Sequence, residues 1–369
     1  MHIPDGYLSP ATCAVGYAVA IPVWATAARK VGKTVKSRQV PTLALLSAMC
    51  FLIMMFNIPI PDGTTAHAVG GALVAVLLGP WAAVIAISVA LAFQALLFGD
   101  GGVLSYGVNV VNMAIVLPFL SYGGYRLLAG RSLLTAPRRA VAAGVGGYFG
   151  LSAAALCGGV ELGLQPDLFH NAQGQPLYSP YHLSQAVPAM LLAHLAVASV
   201  VEAVLTGGVI AYLQRANLPL LRVNHPGVPL TGDEPGRARQ VRPVRLALAA
   251  VVTMAVLTPL GLLAPGTAFG EQRPGQLDLA RYHLSAIPSG LQKWNGLWHH
   301  AFFSGYDFGH DQHPALGYLV SAAIGIAVIG LTILAVAGVV RRLQARRSRS
   351  RAAAAATAEE SDQPIGAAP

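Results

Sequence analysis

The sequence is short of charge and of cysteine. Only 11% of its 369 residues are charged, against about 25% in an ordinary soluble domain. With 54% hydrophobic residues and a mean hydropathy of +0.57, the chain belongs in a bilayer. Cys13, Cys50 and Cys157 lie far apart in apolar runs and form no CxxC, which excludes a disulfide framework and a zinc cluster and leaves them packing roles. The opening MHIPDGYLSP lacks the basic start and apolar run of a secretory signal, so Met1 is expected as the mature N-terminus. A nucleotide loop is missing too. Val31 to Val35, VGKTV, looks like the end of one, but Ala27 stands where the first glycine belongs and the stretch follows a membrane helix instead of a strand. No ATP site is therefore expected in this chain.

What the chain has is apolar runs. A spanning helix needs roughly 20 such residues, and helices are expected near 10–28, 41–58, 66–79, 81–98, 106–128, 140–163, 186–213, 246–264 and 316–340. Ser9 and Pro10 supply an N-cap and a proline at N1 for the first, and Thr64 or Thr65 a cap for the third. The fold class is all-α, a polytopic membrane helix bundle. About seven helices make a first module over 1–214, and a polar cytoplasmic linker follows at 215–245. A C-terminal two-helix hairpin over 246–345 holds an outer loop at 265–315, and a low-complexity tail, 346–369, is expected to be disordered.

Charge sets the orientation. With the N-terminus outside, the inner segments carry 21 of the 24 basic residues, and only Arg273, Arg281 and Lys293 stay outside. The C-terminus is then cytoplasmic in a multi-pass plasma-membrane protein. The same scatter of positive charge among separate loops excludes nucleic acid, despite a net charge of +9.

The chemistry-bearing residues lie on the outer side. A metal held by the Met1 amine and the His2 amide nitrogen closes a five-membered ring, and His2 Nδ1 closes a six-membered one. Three nitrogens then lie nearly in a plane, a field that suits Ni(II) or Cu(II) and not tetrahedral Zn(II). The turn at Pro4, Asp5 and Gly6 folds this tip back toward the bundle. His67, in PDGTTAHAVGG, is the candidate for the fourth position, expected in the first turn of the third helix, where the helix N-terminus keeps its imidazole neutral. A lone histidine near a helix end is more often a hydrogen-bonded surface residue, and that reading stands beside the first. In FGDGGVLSYGVNVVNMA, residues 98–114, Asp100, Asn109 and Asn112 are candidates to orient the imidazoles from behind, while interhelical hydrogen bonding is the plainer role of the two amides.

Together these stretches resemble the CbiM/NikM family, the substrate-specific components of energy-coupling-factor transporters for cobalt and nickel. The resemblance rests on the N-terminal MHIPDG, on GTTAHAVGG (Gly63 to Gly71) and on the GDGGxxxxGxNxxNM segment from Gly99 to Met113, and it covers roughly residues 1–214. It implies that Met1, His2 and His67 hold Ni(II) or Co(II) as the transported substrate. It also implies that a coupling transmembrane subunit and ATPase subunits are separate partners. The C-terminal part resembles the small CbiN/NikN-like subunit, fused in this chain. Its outer loop contains His299, His300, His310 and His313 with Asp307 and Asp311, a cluster that could capture metal on the outside, though a loop packed over the first module is the plainer role. Ala14 and Ala18 on the first helix offer a small face to a coupling subunit or to lipid. The competing class is a proton-coupled secondary transporter that depends on Glu202, with His194 nearby in the seventh helix; interior hydrogen bonding is the plainer role for both.

Overall fold

A computed structural model of the chain describes residues 1–35, 39–60, 64–225, 227–228, 243–264, 266–307 and 313–361. Ser9 caps the first helix, α1 (Pro10–Thr34), by accepting from the Thr12 amide at 3.1 Å. A short apolar helix, α2 (Val40–Met55), leads to an antiparallel pair, β1 (Ile58–Ile60) and β2 (Thr64–Ala66), with Ile58 opposite Ala66. The helix α3 (Gly71–Leu78) is followed by α4 (Pro80–Phe98), α5 (Tyr106–Ala129), α6 (Pro137–Leu168) and α7 (Leu183–Ala216). A short helix, α8 (Leu218–Arg222), closes this part. The second part holds α9 (Pro243–Leu257), extended by a 3₁₀ turn over Thr258–Leu263, then the outer-loop helix α10 (Ser289–Trp294) and the long α11 (Pro314–Ser361). Among the described residues six helices are long and apolar enough to cross a membrane: α1, α4, α5, α6, α7 and the Pro314–Arg342 part of α11. Polar residues sit in wider π-turns inside three of them, over Gln94–Phe98, Val110–Val116 and His194–Ala198.

The third expected helix is corrected. In place of a helix from 66, the chain makes a strand, an extended stretch through His67, and a helix of only 8 residues, about 12 Å long and too short to span by itself. Gly70, with φ of +77°, stops the helix from reaching further back. Thr64 and Thr65 do not cap it; Glu202 on α7 does. Its carboxylate accepts from the Val69 amide at 2.9 Å, Gly70 at 2.8 Å and Ala72 at 3.1 Å. A helix start has four orphan N–H groups, and buried ones need partners supplied from elsewhere. His194 bonds locally, its Nδ1 donating to the Met190 carbonyl at 2.7 Å. Both residues thus have the interior hydrogen-bonding role.

Close packing follows from small residues where α6 crosses α5: a Cβ at Gly146 or Gly150 would overlap Ser121. The second part packs on α2, whose Phe51 is fully buried and meets Tyr306 edge-on at 6.3 Å between centroids. At the end of the bundle away from the outer loop, Asn224 donates to the Ala75 and Val76 carbonyls and Tyr125 meets His225 at 2.9 Å. The linker expected from 215 is thus structured as far as His225, and 229–242 lie outside the described residues. The tail also differs from a disordered reading, because α11 runs helical to Ser361, in keeping with its run of alanine, arginine and glutamate, all good helix formers; 362–369 lie outside the described residues. Ala14 and Ala18 are exposed on α1.

Glu202 gives the first testable outcome. Glu202→Ala leaves three buried N–H groups without an acceptor, each costing about 1–3 kcal/mol, so the thermal unfolding midpoint of the purified protein should fall clearly. Glu202→Gln, which keeps one acceptor oxygen, should lose less. An unchanged midpoint in the alanine variant would show that the cap is dispensable.

Candidate metal centre

The amino terminus is inside the protein. Met1 and His2 are 5% and 2% exposed, which is unusual for a chain end, since termini are poorly ordered unless tied down. Residue 3 supplies the tie. Its amide donates to Asn109 Oδ1 at 3.0 Å, and its carbonyl accepts from Asn109 Nδ2 at 3.1 Å, from the Gly102 amide at 3.0 Å and from the Ser105 hydroxyl. One turn later the Asp5 carboxylate accepts from the Val103 and Ser105 amides, each at 3.0 Å. Gly102 is required at this crossing, because a Cβ there would overlap the Asp5 carboxylate and backbone nitrogen. Beyond the turn, Tyr7 and Leu8 are fully buried and the Tyr7 carbonyl accepts from the Ser179 amide.

This fold-back brings Met1, His2 and His67 together. The His2 and His67 rings stack with centroids 4.8 Å apart and planes inclined by 21°. His67 is not in a helical turn, as expected from the sequence, but in the extended stretch before α3; burial, not the helix N-terminus, is what keeps it neutral. Desolvation lowers its pKa well below 6.5, with the Met1 amine and His2 adding to the effect. The same burial, then the Met1 amine, takes His2 down to about 3. Both rings are therefore neutral bases. His67 Nδ1 lies 3.0 Å from the Ala68 carbonyl and His2 Nδ1 lies 3.2 Å from Asp100 Oδ1, so each Nδ1 carries the proton and each Nε2 carries a lone pair. Neither Nε2 has a hydrogen-bond partner, although both are buried. Buried polar atoms are nearly always satisfied, so two unsatisfied imidazole nitrogens on stacked rings mark this place out.

The remaining candidates divide. Asp100 touches His2 and also accepts from the Tyr306 hydroxyl and, at 3.3 Å, from Gln94 Nε2. Asn109 holds residue 3, whereas Asn112 reaches away from the site to Glu161, at 2.6 Å. His299 and His300 are exposed with ring centroids 4.4 Å apart, and His313 is exposed at the start of α11. His310 and Asp311 lie outside the described residues. The long loop between α9 and α11 packs over the first part: the Phe303 amide donates to Leu97, Trp298 Nε1 to Leu96 and the Gly290 amide to Leu177. Among the described residues no group of three His, Cys, Asp or Glu side chains could hold a metal.

Residues 2–220 match the family described as the cobalt uptake substrate-specific transmembrane region, CbiM. The chain belongs to the CbiM family. It is 44% identical over 342 residues to the fused nickel transport protein NikMN of Rhodobacter capsulatus, covering 89% of this chain and 95% of that protein. It is also 44% identical over 338 residues to the probable fused nickel transport protein LarMN of Lactiplantibacillus plantarum, covering 90% and 96%. A crystal structure described as a truncated transition metal transporter is 56% identical, with a TM-score of 0.55, and covers 58% of this chain and 98% of that one. This CbiM-family chain is thus a multi-pass nickel or cobalt transport component of the CbiM/NikM type, and its relatives are named as transport proteins.

One residue of this CbiM-family site escapes a sequence reading. Glu271, from the outer loop of the second part, accepts from the Met1 amine at 2.8 Å and the His2 amide at 2.9 Å through the same oxygen. Its only signal in the sequence is being the one glutamate between 246 and 313.

The lowered imidazole values set a pH response. Between about 3 and 6.5 the opened tip binds protons that the closed tip excludes, so closure is favoured above this window and lost as pH falls through it. Hydrogen exchange at the Ile3 amide, corrected for its intrinsic rate, should be flat above pH 7 and rise below about 6.5. Protection that persists unchanged into acid would mean that the imidazoles do not control closure.

Proposed function

We propose that this chain is the metal-specificity component of an energy-coupling-factor importer. It takes Ni(II) or Co(II) from the outer side through the Met1 amine, the His2 amide nitrogen and imidazole, and His67 Nε2. The observation that carries the reading is a buried amino terminus beside two stacked, neutral imidazoles, with His67 Nε2 buried and unpartnered. Four nitrogens in a plane suit Ni(II), and the relatives that cover most of the chain are named for nickel. As the structure stands, His2 Nδ1 faces Asp100. Closing the six-membered chelate turns this ring and takes Nδ1 from Asp100, leaving that carboxylate to bond the far side of the imidazole, the arrangement that ligating histidines generally require.

The ligands must be bare nitrogens, so binding releases protons and acid opposes it. The chain has no phosphate loop, and energy for release to the cytoplasm comes from separate ATPase subunits through a coupling membrane subunit. The proton-coupled alternative depends on Glu202, and that carboxylate is occupied by three backbone amides at the start of α3. The N-terminus lies outside and the C-terminus in the cytoplasm, which puts the unusually basic segments inside.

Metal content decides the reading. The purified chain with Met1 as its first residue should retain one Ni(II) per chain, and both a chain carrying one added residue ahead of Met1 and His67→Ala should lose it. Retention of stoichiometric metal in the extended chain would refute amine ligation.

A further inference from the structure

Glu271 stands in an informative place. The Met1 amine and the His2 amide both point at its Oε1, at 2.8 and 2.9 Å. An N–H bond marks where the nitrogen's lone pair will point once the proton is gone, so one atom that receives both bonds occupies the position of an ion chelated by both nitrogens. The carboxylate is not there by chance of a loose loop. The next residue is fixed on two sides, its carbonyl accepting from the Tyr7 hydroxyl at 2.8 Å and its side-chain Oε1 from the Tyr181 hydroxyl at 3.0 Å. The Glu271 amide itself donates to the Ala268 carbonyl at 3.0 Å. Both tyrosines belong to the first part and Glu271 to the second, so the contact joins the two across the mouth of the site.

We propose that Glu271 is a positioning residue for metal loading: its carboxylate holds the terminal amine and the His2 amide in the chelating arrangement before the ion arrives, and the ion then displaces it. This inference rests on the ligand set proposed above. It follows from two constraints. Among the described residues Glu271 is the acceptor that the buried Met1 ammonium group meets, and a buried ammonium group left without one swings out toward water. With the ion in place, Oε1 and the metal compete for one position, and the His2 amide has no proton left to donate. The Glu271 carboxylate therefore leaves both nitrogens on loading, while Gln272 stays held by Tyr7 and Tyr181.

The test uses the full chain, Ni(II) alone as the probe, and stopped-flow absorption of the nickel d–d band. Glu271→Ala should load roughly tenfold or more slowly than wild type and finish with the same band, because Glu271 is not a ligand of the loaded site. Glu271→Gln keeps an acceptor oxygen and should recover part of the rate. Loading of Glu271→Ala at the wild-type rate, or a saturated band that moves, would each overturn the proposal. Failure of the underlying ligand set reads differently: the chain with a residue added ahead of Met1 would then give the wild-type band.

Discussion

The structure depends on the pairing of the residue 3 backbone with Asn109, Gly102 and Ser105. Four hydrogen bonds to one residue take a chain end that would otherwise fray and hold it under the surface. A buried charged amine is costly unless it has a partner, and burying two imidazoles beside it raises the cost of charge further. The protein resolves this by keeping both rings neutral and giving the amine a carboxylate. The same neutrality makes the rings into donors. The electrostatics that close the tip are therefore the ones that the proposed metal ligation needs.

A second element of order works from behind. His67 sits in an extended stretch with a left-handed glycine three residues later, a conformation that leaves the start of α3 with unpaired amides. Glu202 answers from a neighbouring membrane helix with three hydrogen bonds, and so fixes the segment that presents His67 to His2. Irregular backbone in a membrane protein survives only where the surrounding protein satisfies it. The buried acid has the interior hydrogen-bonding role that was its plainer reading in the sequence, and it braces the segment carrying His67.

Much of the fold was legible in the chain, and the exceptions have physical reasons. The long apolar runs announced α1, α4, α5, α6, α7 and α11 because a bilayer demands length and apolarity whatever the packing. The stretch from Ile58 to Ala66 was not legible as a strand pair, since Ile-Pro-Ile and Thr-Thr-Ala are short and apolar enough to pass for the edges of helices. For the same reason the sequence reads His67 as part of a helical turn, where the chain is extended. Met1, His2 and His67 could be brought together because the MHIPDG and HAVGG stretches carry local chemistry. Glu271 could not, being 270 residues from Met1 in a loop whose conspicuous feature is histidine. Asn112 illustrates the reverse error: three residues beyond Asn109 it shares the helix face in outline, yet the π-turn over Val110–Val116 sends it to Glu161.

The central claim concerns geometry around the ion, and X-ray absorption at the nickel edge of the loaded, full-length chain tests it most directly. The account predicts a single shell of four nitrogen neighbours and the edge shape of a square-planar ion. A tetrahedral edge, or a shell with oxygen or sulfur in place of those nitrogens, would contradict it.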